Sequence, residues 1–338
     1  MTCLLFGALL CLVVFLALSG CVEETEVTEH VSFHEELRLY VLDAGAFADA
    51  AGKEAAIWVF GSLDGAYMKD EWYMYAYDYD CILLAHPYQP EMVGTDRFQW
   101  TDNRGLPVIR LGRDVSAKCG GYIVYLYPKP GEDGIDEAAS ETYEPKLGYV
   151  HPAGDDWWVA SGVALMDLGP GGTPPPAVRE MIELVSAGVS YAHAEGRDAA
   201  LSEITDPNGP FINEPGHYLY AYTYDGMLIG HPYLAAAIGM DLSGKECIYD
   251  MKVIQSLAEA AEEGSGFVVF IWPNPDEGNR EELKIGYMLP VDDEWWLGSG
   301  VYLSEVTGDV YSGWQPLNPH FRPAFTRLFP FEKPYPRE

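Results

Sequence analysis

Apolar residues at Leu37, Tyr40, Val41, Ala44, Phe47, Ala51, Ala55 and Trp58 recur three or four apart. The spacing returns at Val178, Ile182, Val185, Val189 and Ala192. Each run puts its apolar side chains on one face of a helix. Turn-rich segments, Ser62-Leu63-Asp64-Gly65 and Asp206-Pro207-Asn208-Gly209-Pro210, end both helices. Two short strands then flank a tight turn in each half. Asp225-Gly226 is a strong hairpin pair and Asp80-Cys81 a poorer one. Each hairpin ends at His-Pro, where proline cannot donate to a ladder. The second half continues with an amphipathic helix over Met251–Glu262; the shorter first half is expected to lack it. Three more strands close each half: Tyr122–Tyr127, Lys146–Val150 and Trp157–Leu165, then Phe267–Trp272, Leu283–Leu289 and Trp295–Leu303.

The two halves share residues as well as pattern. Ala76–Tyr88 (AYDYDCILLAHPY) matches Ala221–Tyr233 (AYTYDGMLIGHPY). Lys146–Val150 (KLGYV) matches Lys284–Met288 (KIGYM), and Asp155–Leu165 (DDWWVASGVAL) matches Asp293–Leu303 (DEWWLGSGVYL). The blocks keep their order, so one module has been duplicated. The first copy carries a longer loop, Gly131–Pro145. The fold class is α+β, with each module a long N-terminal helix packed on a five-stranded antiparallel sheet. The expected organisation is a signal segment over 1–21, modules over 31–166 and 178–305, a Gly/Pro spacer over 167–177, and a Pro/aromatic-rich tail over 306–338.

Composition narrows the function classes. With 48% hydrophobic residues in 338, the chain can bury a core, which excludes global disorder. A net charge of −32 argues against a nucleic-acid partner. Leu4–Leu18 is almost wholly apolar and Glu23 is the first charged residue, as in an export signal. Leu18-Ser19-Gly20-Cys21 resembles a prokaryotic lipobox, in which Cys21 takes lipid. An uncleaved membrane anchor or a plain signal peptide stand as alternatives. All three place the rest of the chain outside the cytoplasm, the first on the outer face of the cell membrane. Beyond the leader only Cys81, Cys119 and Cys247 remain. Cys81–Cys119 is the more favoured pair for a disulfide, and free thiols are expected. The spacings do not suggest zinc.

In the second copy, Gly-Arg-Asp-Ala-Ala (196–200), Asp-Pro-Asn-Gly-Pro-Phe (206–211), Tyr-Leu-Tyr-Ala-Tyr (218–222), His-Pro (231–232), Trp-Pro-Asn-Pro (272–275), Lys-Ile-Gly-Tyr (284–287) and Trp-Trp-Leu-Gly-Ser-Gly-Val-Tyr (295–302) follow a long helix. The succession resembles a Cache domain, a PAS-like extracytoplasmic sensor module of chemoreceptors and histidine kinases. The first copy keeps the hairpin, His-Pro, Lys-x-Gly-Tyr and Trp-Trp blocks and departs at Tyr127-Pro128-Lys129-Pro130. The resemblance implies a small ligand, often a short carboxylate, on the inner face of the sheet.

The candidate ligand-binding residues are Tyr220, His231, Trp272, Lys284 and Tyr287. Tyr75, His86, Lys146 and Tyr149 are weaker counterparts in the first copy. Lys284 and Lys146 recur at one strand position in a chain poor in cations, which suits an anion; an ion pair with one of the many acids is the alternative. His231 and His86 are donors or loop caps. Alternation puts Tyr218, Tyr220 and Tyr222 on one face. Ser161-Gly162 and Ser299-Gly300 lie inside strands and read as structural. No nucleophile sits beside a base in a recognisable motif, so no enzyme and no cofactor are expected. The expected function is a lipid-anchored extracytoplasmic sensor that binds a short carboxylate or amino acid in the second module. It would pass occupancy to a membrane receptor, histidine kinase or transporter. A ligand-free surface or scaffold protein is the alternative.

Overall fold

The computed structural model describes residues 32–308, apart from 70–71, 132–133, 170 and 214–215. The leader with Cys21, and the tail from 309 on, lie outside the described residues. The first module runs α1 (Phe33–Ala51), α2 (Lys53–Phe60), β1 (Met68–Lys69), β2 (Trp72–Tyr73), β3 (Tyr75–Asp78), β4 (Leu83–Ala85), α3 (Val108–Ser116), β5 (Gly121–Pro128), β6 (Tyr143–Pro152) and β7 (Trp157–Ala164). The second runs α4 (Pro176–Glu195), α5 (Arg197–Thr205), β8 (Tyr220–Thr223), β9 (Leu228–Gly230), α6 (Val253–Glu262), β10 (Gly266–Asn274), β11 (Arg280–Pro290), β12 (Trp295–Tyr302) and α7 (Leu303–Thr307).

The sheets have the same order, β4-β3-β7-β6-β5 and β9-β8-β12-β11-β10, with every pair antiparallel. Each opening helix lies on one face of its sheet through a glycine. A side chain on Gly45 would meet His151 Cδ2 at 2.6 Å, and one on Gly188 would collide with Leu219. The apolar stripe Leu37, Val41, Ala44 and Ala48 is buried as the spacing requires.

The predicted first helix ran unbroken through Ala55 and Trp58, and it does not. Gly52 takes φ 88° and divides α1 from α2, as Gly196 at φ 89° divides α4 from α5. The break turns the stripe outward: Ala51 and Ala55 are exposed, and Trp58 is 76% exposed. The expectation that the first module lacks the second helix also fails, because α3 is present. Its buried side chains, Val108, Ile109, Leu111 and Val115, are interrupted by Arg110, Arg113 and Asp114, which hid the pattern. Gly112 lets Trp158 approach; a Cβ there would stand 2.8 Å from the indole.

At the hairpins, Gly226 takes φ 92° and Cys81, in the first copy, takes φ 67°. Asp78 Oδ1 accepts from the Asp80 and Ile82 amides and holds this less favourable turn. Prolines 175 and 176 open α4, where a missing N–H costs nothing. Among the described residues, no helix is long and apolar enough to cross a membrane. Cys81, Cys119 and Cys247 are all free thiols.

Candidate functional site

The face of the second sheet turned away from α4 builds a partly open cavity. Period-two alternation sends Tyr220 and Tyr222 of β8, with Tyr218 just before it, to this face. Phe270 and Trp272 of β10 and Lys284 of β11 join them. Val253, Ile254 and Leu257 of α6 form the roof, with His231 and Leu234 at one side. Gly298 and Gly300 of β12 let two lining side chains lie flat on the sheet: a Cβ on Gly298 would meet the Tyr220 ring at 2.6 Å, and one on Gly300 would meet Lys284 Cε at 2.6 Å. The space between these side chains is small, ≈30 Å³ being open to the centre of a water molecule. That is room for one or two waters, or for a ligand of a few heavy atoms.

Its electrostatics are local. Lys284 is 4% exposed, and its Nζ lies 4.4 Å from the Tyr302 ring centroid and 5.5 Å from that of Tyr218. His231 is also buried and packs against Tyr218 at 4.9 Å. The Tyr233 amide donates to His231 Nδ1 at 3.1 Å, so the ring proton resides on Nε2. Burial first, and then the Lys284 charge, push the imidazole pKa down to about 3. His231 is therefore a neutral N–H donor at physiological pH. The Tyr220 hydroxyl donates to the Ser299 carbonyl at 3.1 Å, leaving its oxygen as an acceptor. None of the lining residues is acidic.

The first module repeats the arrangement on its own sheet. Tyr73, Tyr75, Tyr77, His86, Val108, Ile109, Tyr125 and Tyr127 line a smaller cavity. His86 Nδ1 accepts from the Tyr88 amide at 3.2 Å, and its pKa is pushed down to about 3 by burial and then by Lys146 and Arg97. Lys146 is 5% exposed, 5.9 Å from the Tyr73 and Tyr127 ring centroids and 3.8 Å from Glu144 Oε1. One substitution changes the space. Tyr125 pairs with Lys146 where Phe270 pairs with Lys284. Its hydroxyl lies over Gly162, 3.4 Å from that of Tyr75.

The structure brings together Tyr220, His231, Trp272 and Lys284, and in the first module Tyr75 and His86 with Lys146 beside them. It separates Tyr287 and Tyr149 from them. Each lies three residues past its lysine, an odd step along a strand, and so points to the opposite face. There Tyr287 packs on Phe267 at 5.0 Å and Tyr149 on Tyr122 at 4.9 Å. Ser161 and Ser299 are structural, donating to the carbonyls of Tyr73 and Tyr218 at 2.8 and 2.9 Å. Phe270, Tyr125 and the roof residues of α3 and α6 escaped the sequence reading. For Phe270 and Tyr125 the signal was the pairing of β10 and β5 with the lysine-bearing strands, which puts the residue opposite each lysine on the cavity face. Among the described residues, no group of three His, Cys, Asp or Glu side chains could hold a metal ion.

Each sheet thus carries an aromatic cavity with a histidine in its lining and a buried lysine in it or beside it. The model of the Single Cache domain 2 family matches twice, over residues 49–169 and 177–315. The chain belongs to this Cache family. Each Cache module is a sensing domain and is itself non-catalytic. Among curated proteins, the sensor histidine kinase MctS of Rhizobium johnstonii is 32% identical over 93 residues, 26% of this chain and 19% of MctS. The chain thus spans about a fifth of that relative's length. A methyl-accepting chemotaxis protein of Vibrio parahaemolyticus is 23% identical over 40% of this chain and 90% of its own, with a TM-score of 0.34. The ligand-binding domain of the Pseudomonas fluorescens chemoreceptor CtaA, solved with L-isoleucine, is 12% identical over 80% of this chain and 84% of its own, with a TM-score of 0.25.

Proposed function

We propose that this Cache protein is an extracytoplasmic sensor whose second module binds a short carboxylate. The convergence of Lys284 and the neutral Nε2–H donor of His231 on one aromatic cavity carries this reading. An ammonium and a neutral N–H suit a carboxylate, and low surrounding polarity strengthens both. An amino acid is the alternative, its ammonium facing Asp276 or Glu305, both of which act on Tyr218. The space suits an acid of about four heavy atoms. At about 1.5 kcal/mol per atom, such a ligand reaches about 6 kcal/mol, a dissociation constant of tens of micromolar.

In this reading Cys21 carries a lipid anchor on the outer face of the membrane, and occupancy passes to a membrane receptor, histidine kinase or transporter. Labelling with a radioactive fatty acid, lost in Cys21→Ser, tests the anchor. The ligand is tested by calorimetric titration with acetate, propionate, lactate and alanine. Lys284→Met keeps the packed stem and removes the charge. Binding by wild type that Lys284→Met abolishes supports the reading; binding unaffected by the change, or none by well-folded protein, removes it. The second reading, a scaffold without ligand, is favoured by how little room the first cavity leaves around Tyr125.

A further inference from the structure

At the mouth of the first cavity, Gln89 and Arg97 hold a carboxylate that belongs to the chain itself. Arg97 Nη2 lies 2.6 and 2.7 Å from the two oxygens of Glu137, and Gln89 Nε2 lies 2.9 Å from Oε1. Gln89 is fixed in turn by the Tyr127 hydroxyl, which donates to its Oε1 at 2.8 Å. Tyr127 lines the cavity. Arg97 is 6% exposed and lies 5.0 Å over the Trp100 ring. Its Nε is buried with no partner, so Glu137 is held through Nη2 alone and the two-nitrogen Nε/Nη2 grip is only half made. That grip is the geometry a carboxylate takes best.

Comparison of the modules shows that the arginine and the glutamine go together. The Arg97 amide donates to the Cys81 carbonyl and the Leu242 amide to the Gly226 carbonyl, both at 2.9 Å, so Leu242 stands where Arg97 does. Leu234, one residue after the matched Tyr233, stands where Gln89 does and lines the second cavity. Glu137 comes from the longer β5–β6 loop of the first module; the shorter β10–β11 loop of the second carries Asp276 instead. The arginine and the glutamine therefore belong to the first module alone.

We infer that Gln89 and Arg97 form a carboxylate-binding site and that Glu137 is its tethered occupant. A free short carboxylate binds in place of the Glu137 side chain, and Arg97 Nε and Nη2 then receive it. The site is separate from Lys284, so it is tested in a Lys284→Met background, where failure of the second-module reading has no bearing. Acetate is titrated into Lys284→Met and into Lys284→Met/Glu137→Ala while the thermal midpoint is followed, with chloride at matched ionic strength as control. The expected result is a saturable rise of a few degrees only when Glu137 is absent, abolished by adding Arg97→Met. No acetate-specific rise in the Glu137→Ala protein overturns the inference, as does a rise that survives Arg97→Met. Should Glu137→Ala fail to fold, Glu137→Gln preserves the volume and removes the charge, and the same titration decides.

Discussion

Asp102 and Cys247 fill the same cradle in the two modules. Asp102 accepts from the amides of Arg104 at 3.0 Å, Leu106 at 2.9 Å and Leu126 at 3.3 Å. The Cys247 thiol faces the corresponding amides of Tyr249, Met251 and Ile271, which favour its charged form against the burial that disfavours it. The two backbones match as well: Asp102 N–H donates to Leu106 O at 2.9 Å and Cys247 N–H to Met251 O at 3.0 Å. The cradle pins the segment before each roof helix to a sheet strand, β5 or β10. A carboxyl is a strong acceptor and a thiol a weak one, so the first module is pinned harder.

Truncation should expose that difference. Asp102→Ala leaves three buried amides without their acceptor and is expected to cost about 3 kcal/mol, against about 1 kcal/mol for Cys247→Ala. Denaturant unfolding of the two variants checks it, and equal losses would show that the acceptor is immaterial. Burial raises the Cys247 thiol pKa. The exposed Cys119 should therefore react with a thiol reagent in folded protein, while Cys247 waits for unfolding.

The repeat made the architecture and half of each site readable. Lys284 and His231 stood out because a scarce cation and a His-Pro recurred at matched positions, and alternation then chose their tyrosines. The same alternation, applied to the step from Lys284 to Tyr287, would have removed Tyr287 in advance. Trp58 was misjudged because a helical period says nothing of a glycine able to break the helix at Gly52. Helix α3 was hidden because Arg110 and Arg113 lie on its partly exposed side, where each cation sits over the Phe98 ring. Glu137 was beyond reach, since a carboxylate on a loop of unmatched length has no periodic partner to point to Arg97.

Buried histidines and buried carboxyls pull the pH dependence of stability in opposite directions. With His86 and His231 held down to about 3, the unfolded chain takes up protons below about 6.5 that the folded chain refuses. Their contribution is present above about pH 6.5 and lost as pH falls toward 3. Burial pushes Asp102 and Glu281 up to about 7, so the folded chain keeps protons that the unfolded chain releases near pH 4. Their contribution is present at low pH and lost as pH rises from about 4 to 7. Between about pH 4.5 and 6, His231→Gln should tilt the stability profile by one proton, about 1.4 kcal/mol per pH unit, toward loss with rising pH. Glu281→Gln should tilt it equally toward gain. Denaturant midpoints across that window read both, and a profile unmoved by either change would refute the assignment.

Gly298 tests whether the seat of the Tyr220 ring matters for binding apart from folding. A Cβ there must displace the Tyr220 ring, whose nearest atom would be 2.6 Å away. Gly298→Ala is expected to cost about 1–3 kcal/mol through overpacking and to lower carboxylate affinity at least tenfold. Ala160 already occupies the corresponding place in β7, opposite Tyr75. The reverse change, Ala160→Gly, should therefore leave binding in the second module untouched. Titration calorimetry on both variants separates the outcomes.

The two roof helices are bolted to each other, which predicts that the cavities communicate. Ser256 of α6 donates to the Arg104 carbonyl at 2.8 Å, just ahead of α3. Arg104 grips Glu263, beyond the end of α6, and Tyr249 donates to Asp114 of α3 at 2.9 Å. A ligand that moves α6 must move α3 or break these bonds, so coupling needs no long pathway. Ser256→Ala and Tyr249→Phe should each cost about 1 kcal/mol and leave both sheets intact. In wild type, carboxylate binding to the second module should slow amide exchange in 108–116 of the first. In the double variant, binding should persist while that remote protection disappears. Protection of α3 that survives loss of both bonds would place the coupling elsewhere, and exchange confined to α6 in wild type would show that the roofs move independently.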